Sequence, residues 1–299
     1  MNLVLYSTVV LIWGMTWIAI AFQHGEFSPL VGVFWRFIIA SALLFIFLLI
    51  TKKLKMLNKE DHLFCFIQGA CVFGFNFVCF YTAIEYINSG LESIIFSMAV
   101  LFNALNSRLF FGQKISQYFY PSAFLGIAGI VSLFWHDIIS TKVELKTLLG
   151  IGLCMLGTYG FSIGNMVSIR HQKRGLDIFT TNAFGMLYGA VIMGLLALFL
   201  QKDFFPQISS SGLFALLYLA IFGTVIGFTA YFALIGRIGA SQAAYTTLLF
   251  PLVALTLSTI YESYQWHLGS FLGVIFILLG NYILFAQPNW LSNLIGIKK

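Results

Sequence analysis

Charged side chains are few in this sequence. Asp, Glu, Lys and Arg make up 9% of its 299 positions, whereas soluble globular proteins carry about 25%. So few charges cannot cover a water-exposed surface, which excludes a soluble protein and makes lipid the expected solvent. Hydrophobic residues make up 60% of the chain and include 33 Phe. The net charge of +6 is therefore interpreted as membrane topology, and no nucleic-acid partner is predicted.

Motifs for ATP hydrolysis, metal binding and hydrolytic catalysis are missing. The sequence contains no GxxxxGK[ST], HExxH or GxSxG pattern, so it predicts neither a phosphate-binding loop nor a hydrolase centre. The four cysteines lie in apolar runs, without CxxC or Cys/His zinc spacing, and are interpreted as small apolar fillers. We therefore predict no metal site, no cofactor and no enzyme activity.

Long apolar runs dominate what is present. A helix needs about 20 residues to cross a bilayer, and no run or loop is polar enough to form a separate soluble domain. The first run lacks a basic leader, so it is interpreted as a mature helix rather than a signal peptide. The predicted fold class is an all-α integral membrane protein with ten transmembrane helices, at residues 3–22, 29–50, 63–86, 91–111, 118–136, 148–169, 178–200, 212–235, 241–261 and 268–286.

Basic residues predict the orientation of these helices. With the N-terminus in the cytoplasm, twelve Lys and Arg fall in inside loops or the C-terminal tail, and three fall in outside loops. This bias follows the positive-inside rule and places both termini in the cytoplasm of a multi-pass protein of the cell (inner) membrane. The three outside residues are Lys142, Lys146 and Lys202; the inside ones are Lys52, Lys53, Lys55, Lys59, Arg108, Lys114, Arg170, Lys173, Arg174, Arg237, Lys298 and Lys299.

A helical hairpin occurs twice. Residues 80–113 and residues 231–262 each contain two apolar stretches around a short Gly/Ser turn, predicted at 87–90 in the first copy, and each ends at Gln or Glu. The offset of five spans is odd, so the second half is inserted upside down relative to the first. The sequence thus predicts two inverted five-helix repeats, at 1–145 and 146–290, followed by a cytoplasmic tail at 291–299. This layout is typical of secondary transporters.

Pairs of glycines four residues apart are frequent in the second half. Such pairs allow close helix packing in lipid, and they are also expected on faces that slide during transport. The pairs are Gly160/Gly164, Gly185/Gly189, Gly223/Gly227 and Gly269/Gly273.

These features together resemble the EamA-type family of the drug/metabolite transporter superfamily, over about residues 3–286. The similar features are Trp13-Gly14, Pro29 followed by Arg36, residues 83–102 of the first hairpin, and residues 233–262 with Pro251 in the second. The resemblance implies ten helices and secondary transport, often export, of small metabolites, amino acids or drug-like compounds.

Two positions depart from the family pattern. Val100 stands where members often have Pro, and Gln113 stands where they often have Glu, whereas the second half has Pro251 and Glu262. We therefore assign a gating kink to Pro251 only. We expect two hairpins of similar shape and unequal role.

Arg36 is the clearest functional candidate. It lies seven residues after Pro29, about 10 Å into the membrane at 1.5 Å per residue, where a charge is costly. Two interpretations stay open: a structural Arg paired with a neighbouring helix, or a contact for an anionic or carboxylate substrate. Glu92 is the expected partner of Arg36 and the first candidate for a proton-coupling carboxylate, with Glu262 second.

Other polar and aromatic residues on inward faces are candidates for the substrate pathway. Each of them is open to a packing interpretation as well, since polar groups facing lipid are costly and aromatic rings fill helix interfaces. The polar candidates are Asn76, Asn103, Ser162, Asn165 and Gln242, and the aromatic candidates are Trp13, Trp17, Tyr81, Phe96, Tyr159, Tyr231 and Tyr245.

The leading hypothesis is a secondary transporter that works by alternating access on a small amphiphilic or zwitterionic molecule. The alternative is a polytopic membrane enzyme acting on a lipid or isoprenoid, which requires a cluster of Asp, Glu or His that the loops lack. A channel or sensor requires a repeated polar pore helix or a soluble domain. The expected partners are a small-molecule substrate and membrane lipid, with the protein a monomer or a homodimer.

Overall fold

The computed structural model describes residues 2–133, 135, 145–238, 243 and 246–288. Regular structure in these ranges is entirely helical and forms ten segments. They are α1 Asn2–Ala21, α2 Pro29–Ile50, α3 Lys59–Ala83, α4 Ser89–Phe111, α5 Phe119–Leu133, α6 Leu145–Lys173, α7 Ile178–Phe199, α8 Ser210–Ile238, α9 Thr246–Tyr261 and α10 Leu268–Ala286.

Seven of these segments are long and apolar enough to cross a membrane, namely α1–α4 and α6–α8. Within the described ranges, α5, α9 and α10 contribute shorter apolar stretches. The all-helical prediction is confirmed. Segment ends differ from the predicted runs by a few residues because the helices continue into polar turns; α6, for example, extends through Arg170 to Lys173.

The first hairpin turn lies earlier than predicted. We expected α3 to continue to residue 86 and the turn to occupy 87–90, but α3 ends at Ala83 and α4 begins at Ser89. Asn88 explains the start of α4, because its side-chain oxygen accepts a hydrogen bond from the Leu91 backbone N–H at 3.0 Å. Asn is among the most favoured N-cap residues.

Two segments contain a π-helical stretch that the apolar pattern does not predict. In α3 it covers Cys71–Phe75, and in α8 it covers Leu219–Ile226. A polar side chain bonds to a carbonyl inside each stretch: Asn76 Nδ2 donates to Val72 O at 3.2 Å, and Thr224 Oγ1 donates to Leu219 O at 2.7 Å. Such stretches are frequent at functional sites.

The helix neighbours follow a regular scheme. α2 packs against α7, and α5 packs against α10. α1 contacts α8 and α9, while α6 contacts α3 and α4. The helices α1, α2, α3, α4, α6, α8 and α9 therefore surround the middle of the bundle, and α5 and α10 pair beside it.

The glycine pairs lie at close helix contacts. A Cβ at Gly189 would lie 2.9 Å from the backbone O of Gly69, and one at Gly273 would lie 2.7 Å from the backbone O of Gly129. The remaining pairs face side chains or backbone of another helix in the same way. The close-packing interpretation is thus supported by each pair, and each contact joins a second-half helix to a first-half helix.

Candidate functional site

A small cavity of about 30 Å³ lies in the middle of the bundle. Residues from seven helices line it, and eight of the twelve are aromatic. They are Trp13, Thr16, Trp17, Ile20, Arg36, Asn76, Phe77, Phe80, Phe96, Phe161, Phe228 and Phe250.

The aromatic rings contact one another around the cavity. Trp17 stacks on Phe250 with ring centroids 6.0 Å apart, and Phe96 lies 4.7 Å from Phe161. Trp13 lies 5.0 Å from Phe228, and its Nε1 donates to Gly223 O at 3.1 Å. Offset and edge-to-face ring contacts of this kind are favourable, so the cavity has a preformed apolar wall.

Arg36 is the charged residue in this lining. Its side chain is 1% exposed, and its Nε donates to Thr224 Oγ1 at 2.9 Å. The guanidinium lies over the Phe77 ring, 4.1 Å from the centroid. Pro29 at the start of α2 and the π-helical stretch of α8 position the two partners. The arrangement holds a cation against an aromatic face inside the membrane.

Three polar atoms of the lining have no hydrogen-bond partner among the described residues. They are Trp17 Nε1, Arg36 Nη1 and Asn76 Oδ1. The first two are donors and the third is an acceptor. An unpaired buried polar group is costly, and all three belong to residues that line the same cavity.

The predicted pairing of Arg36 with Glu92 is wrong. No carboxylate in the described part of the chain lies within 4.0 Å of the guanidinium, and the near partner is the Thr224 hydroxyl. Arg36 and Glu92 share a depth in the predicted topology, but depth does not determine the direction in which a side chain leaves its helix.

Glu92 lies outside the cavity lining and is fully buried. Neither of its carboxyl oxygens has a hydrogen-bond partner among the described residues. Glu262, the other predicted acidic candidate, behaves differently: its Oε1 accepts from the Ser89 backbone N–H at 3.2 Å, and its Oε2 accepts from the Ser89 hydroxyl. Glu262 thus holds the start of α4 at the end of α9.

A second polar cluster lies between α4, α6 and α8. Asn165 Nδ2 donates to Asn103 Oδ1 at 3.2 Å and to the Tyr231 hydroxyl at 3.4 Å. Asn106 Nδ2 donates to Ser162 Oγ at 2.9 Å. Ser162, Asn165, Asn103 and Tyr231 were predicted to face inward, and all are buried, but they bond helix to helix rather than line the cavity.

Four further predicted residues divide into three groups. Tyr159 is 38% exposed and packs on Phe102, away from the cavity lining. Gln242 and Tyr245 lie outside the described residues. Pro251 lies inside α9, next to the lining residue Phe250.

Of the predicted site residues, the structure brings five together in the cavity: Trp13, Trp17, Arg36, Asn76 and Phe96. The sequence did not predict Phe161, Phe228 and Phe250 as lining residues, because the pattern of an apolar helix does not tell a cavity-facing Phe from any other Phe. It also missed Thr224. A polar residue in a strongly apolar span was the signal available for it.

A vestibule of about 290 Å³ adjoins the cavity at the end of the bundle that carries the 22–28 and 84–88 loops, here called the Glu26 end. The two spaces share Ile20. Tyr81, predicted as a pathway residue, lines the vestibule, and its hydroxyl donates to Gln23 Oε1 at 2.8 Å. This bond links α3 to the 22–28 loop at the wall of the vestibule.

An ion cluster lies at the opposite end of the bundle, here called the Arg170 end. Arg170 contacts Asp61 at 2.9 Å and Glu60 at 2.6 Å, and Arg174 contacts Glu60 at 2.8 Å. The side chain of Asp61 is 4% exposed. The cluster joins the start of α3 to the end of α6.

Comparison with protein families decides the membership of the chain. The model of the EamA-like transporter family matches residues 2–135 and 160–286. The chain belongs to the EamA-like transporter family. The family was the one that the sequence resembled, so this prediction is confirmed.

Several relatives of this EamA-like transporter align over nearly its whole length. Protein PagO of Salmonella typhimurium is 26% identical, with 96% of this chain and 93% of the relative covered. Uncharacterized transporter YoaV of Bacillus subtilis is 23% identical, with 92% and 94% covered. Uncharacterized inner membrane transporter YedA of Escherichia coli K12 is 27% identical, with 93% and 90% covered.

A solved crystal structure has the same fold. It aligns with 97% of this EamA-like transporter and 98% of its own chain at a TM-score of 0.70, and its sequence identity of 15% bears on the fold alone. Together with the apolar helices, family membership establishes a multi-pass membrane transporter with a small-molecule substrate in a lipid environment. The lipid-acting enzyme is set aside, because the relatives are named as transporters.

Proposed function

We propose that this EamA-like transporter is a secondary transporter that exports a small amphiphilic metabolite by alternating access. The substrate class is an amino acid, an amine or an amphiphilic drug-like compound. The observation that carries the proposal is the central cavity, because it is enclosed by helices from both halves of the chain and lined by rings around one cation. Ligand sites in transporters lie near the membrane midplane between such halves.

We further propose that the chain forms ten transmembrane helices in two inverted repeats, at 1–145 and 146–290, with 291–299 a cytoplasmic tail. Exchanging each helix with the helix five positions later maps the α1/α9 contact onto α6/α4, and the α1/α8 contact onto α6/α3. The same exchange relates the π-helical stretches of α3 and α8. The family model also matches two stretches of similar length.

The distribution of basic residues indicates which end of the bundle faces the cytoplasm. We propose that the Arg170 end faces the cytoplasm, since the predicted topology assigns twelve of the fifteen loop and tail cations to that side. Both termini are then cytoplasmic. The ion cluster at this end and the vestibule at the Glu26 end indicate a conformation that is closed toward the cytoplasm.

Uptake and efflux by reconstituted proteoliposomes test the proposal. Labelled amino acids, amines and amphiphilic compounds are supplied with and without a pH gradient, and no ATP is added. Substrate-dependent flux that exceeds the flux of empty liposomes is expected for at least one class. Absence of flux for all classes, together with covalent change of an added lipid, contradicts the proposal.

A further inference from the structure

We propose that the central cavity binds an organic monocarboxylate with an apolar or aromatic body, and that the Arg36 guanidinium binds its carboxylate group. The inference rests on the proposed function for its role in transport, and it narrows the substrate classes by excluding amines.

The cavity lining is positively charged at Arg36. Arg36 is the charged group in the described lining, and no carboxylate in the described residues lies within 4.0 Å of it. A buried charge without a partner costs several kcal/mol, and a bound anion supplies the missing partner. A cationic amine at the same place adds a second positive charge and is repelled.

The cavity lining also contains hydrogen-bonding atoms without partners among the described residues. Arg36 Nη1 and Trp17 Nε1 are donors without partners, and a carboxylate offers two acceptor oxygens. Guanidinium and carboxylate form short, charge-assisted hydrogen bonds. Asn76 Oδ1 is a free acceptor, so it accepts a hydrogen bond from a hydroxyl, amide or amino group of the same ligand.

The guanidinium is held in one orientation. Thr224 Oγ1 donates its own proton to Leu219 O at 2.7 Å, so it acts as the acceptor for Arg36 Nε at 2.9 Å. The Phe77 ring supports the guanidinium plane from one side. Thr224 is therefore a positioning residue, and Nη1 is left for the ligand.

The rest of the cavity selects the body of the ligand. Eight aromatic side chains form most of the lining, and the cavity of about 30 Å³ is much smaller than the roughly 300–1,000 Å³ of small-molecule pockets, so the surrounding helices must separate to admit a ligand. One cation balances one negative charge, whereas a phosphate ester or a dicarboxylate requires more. The chemistry fits a monocarboxylate that carries a ring or a short apolar chain.

Equilibrium binding to the full-length protein in nanodiscs tests this inference with three probes that share one ring and chain: 3-phenylpropionate, 3-phenylpropanamide and 3-phenylpropylamine. We expect the carboxylate to bind at least about tenfold more tightly than the amide, since hydrogen bonds between charged groups are stronger than those between neutral groups. We expect the amine to bind most weakly. Amine binding equal to carboxylate binding, or no carboxylate binding, overturns the inference.

The Arg36→Gln variant tests the role of the guanidinium. We expect carboxylate affinity to fall about 10- to 100-fold while amide affinity changes less than about threefold, and we expect Arg36→Lys to retain the preference for carboxylate. An unchanged ratio of carboxylate to amide affinity shows a structural Arg and overturns the inference. If Arg36→Gln does not fold, Thr224→Val removes the acceptor of Nε and must lower the same ratio; an unchanged ratio in that variant overturns the inference too.

Flux separates this inference from the proposed function. Carboxylate binding without transport in proteoliposomes contradicts the transporter and leaves the binding site intact. Transport of amines without carboxylate binding contradicts the inference and leaves the transporter intact.

Discussion

At the scale of single residues, Glu92 and Arg36 are two buried ionisable side chains of opposite charge. Both are buried in the bundle. Among the described residues, neither has an oppositely charged partner within ion-pair distance. Arg36 has Thr224 and an aromatic face, and it lines the cavity. Glu92 has no hydrogen-bond partner and lies outside the lining. We therefore propose that Arg36 contacts the substrate, and Glu92 stays the predicted candidate for proton coupling.

The Glu92→Gln substitution separates folding from proton coupling. Because no described group donates to the Glu92 oxygens, the neutral isostere is expected to change the free energy of unfolding by less than about 1 kcal/mol. Transport is expected to continue without its stimulation by a pH gradient. Thermal unfolding and proteoliposome flux with and without the gradient are the measurements. Glu262→Gln is the control, and it is expected to destabilise the protein because Glu262 accepts two hydrogen bonds from Ser89. Gradient-stimulated flux in Glu92→Gln contradicts proton coupling by Glu92.

At the scale of helices, much was predictable from the sequence. Apolar length located the segments, because lipid requires about 20 apolar residues per crossing. The cost of a buried charge identified Arg36, and inward polar and aromatic positions identified Trp13, Trp17, Asn76 and Phe96. The partner of Arg36 was not predictable, because Thr224 lies 188 positions away in the chain and is brought to Arg36 by the packing of α2 on α8. The π-helical stretches also carry no signature in the apolar pattern.

Gly189→Ala tests the close contact of α3 with α7. Its new Cβ would lie 2.8 Å from Phe73 Cβ and 2.9 Å from the Gly69 backbone O, so we expect a loss of about 1–3 kcal/mol in the free energy of unfolding. Gly152→Ala in α6 is the matched control, because nothing lies within 4 Å of its Cβ and Ala favours a helix by up to about 1 kcal/mol. Chemical unfolding in detergent compares the two. Equal stability of both variants contradicts the packing described for α3 and α7.

The start of α8 is predicted to depend on pH. Side-chain and backbone hydrogen bonds from Ser209 lower the pKa of Glu26, a loop residue, and the backbone bond measures 2.8 Å. A lowered pKa in the folded protein means that the link is present at pH values above the ordinary pKa and is lost as the pH falls through the lowered one. Hydrogen exchange of the first turn of α8 is expected to accelerate only in that acidic range, and Glu26→Gln is expected to remove this pH dependence. Exchange that has the same pH profile in both proteins contradicts the link.

At the scale of the whole molecule, the two ends of the bundle are closed by different chemistry. The Arg170 end has an ion cluster in which Asp61 is buried. The Glu26 end has uncharged and singly charged hydrogen bonds: Tyr81 to Gln23, and Ser209 to Glu26. The Tyr81–Gln23 bond is buried as well, whereas Glu60 of the ion cluster is 58% exposed. Both ends therefore combine buried and exposed polar contacts.

The central claim is that the cavity is reached alternately from both sides of the membrane. Thr16 lines the cavity and is nearly the size of cysteine. The decisive measurement places Thr16→Cys in a background without the four native cysteines and labels it with a membrane-impermeant thiol reagent from either side of oriented vesicles. We predict that Thr16→Cys is labelled from both sides and that substrate reduces the labelling from either side. Tyr159→Cys, on the outer face of α6, is predicted to stay unlabelled. Labelling of Thr16→Cys from one side alone, whatever the substrate concentration, contradicts the central claim.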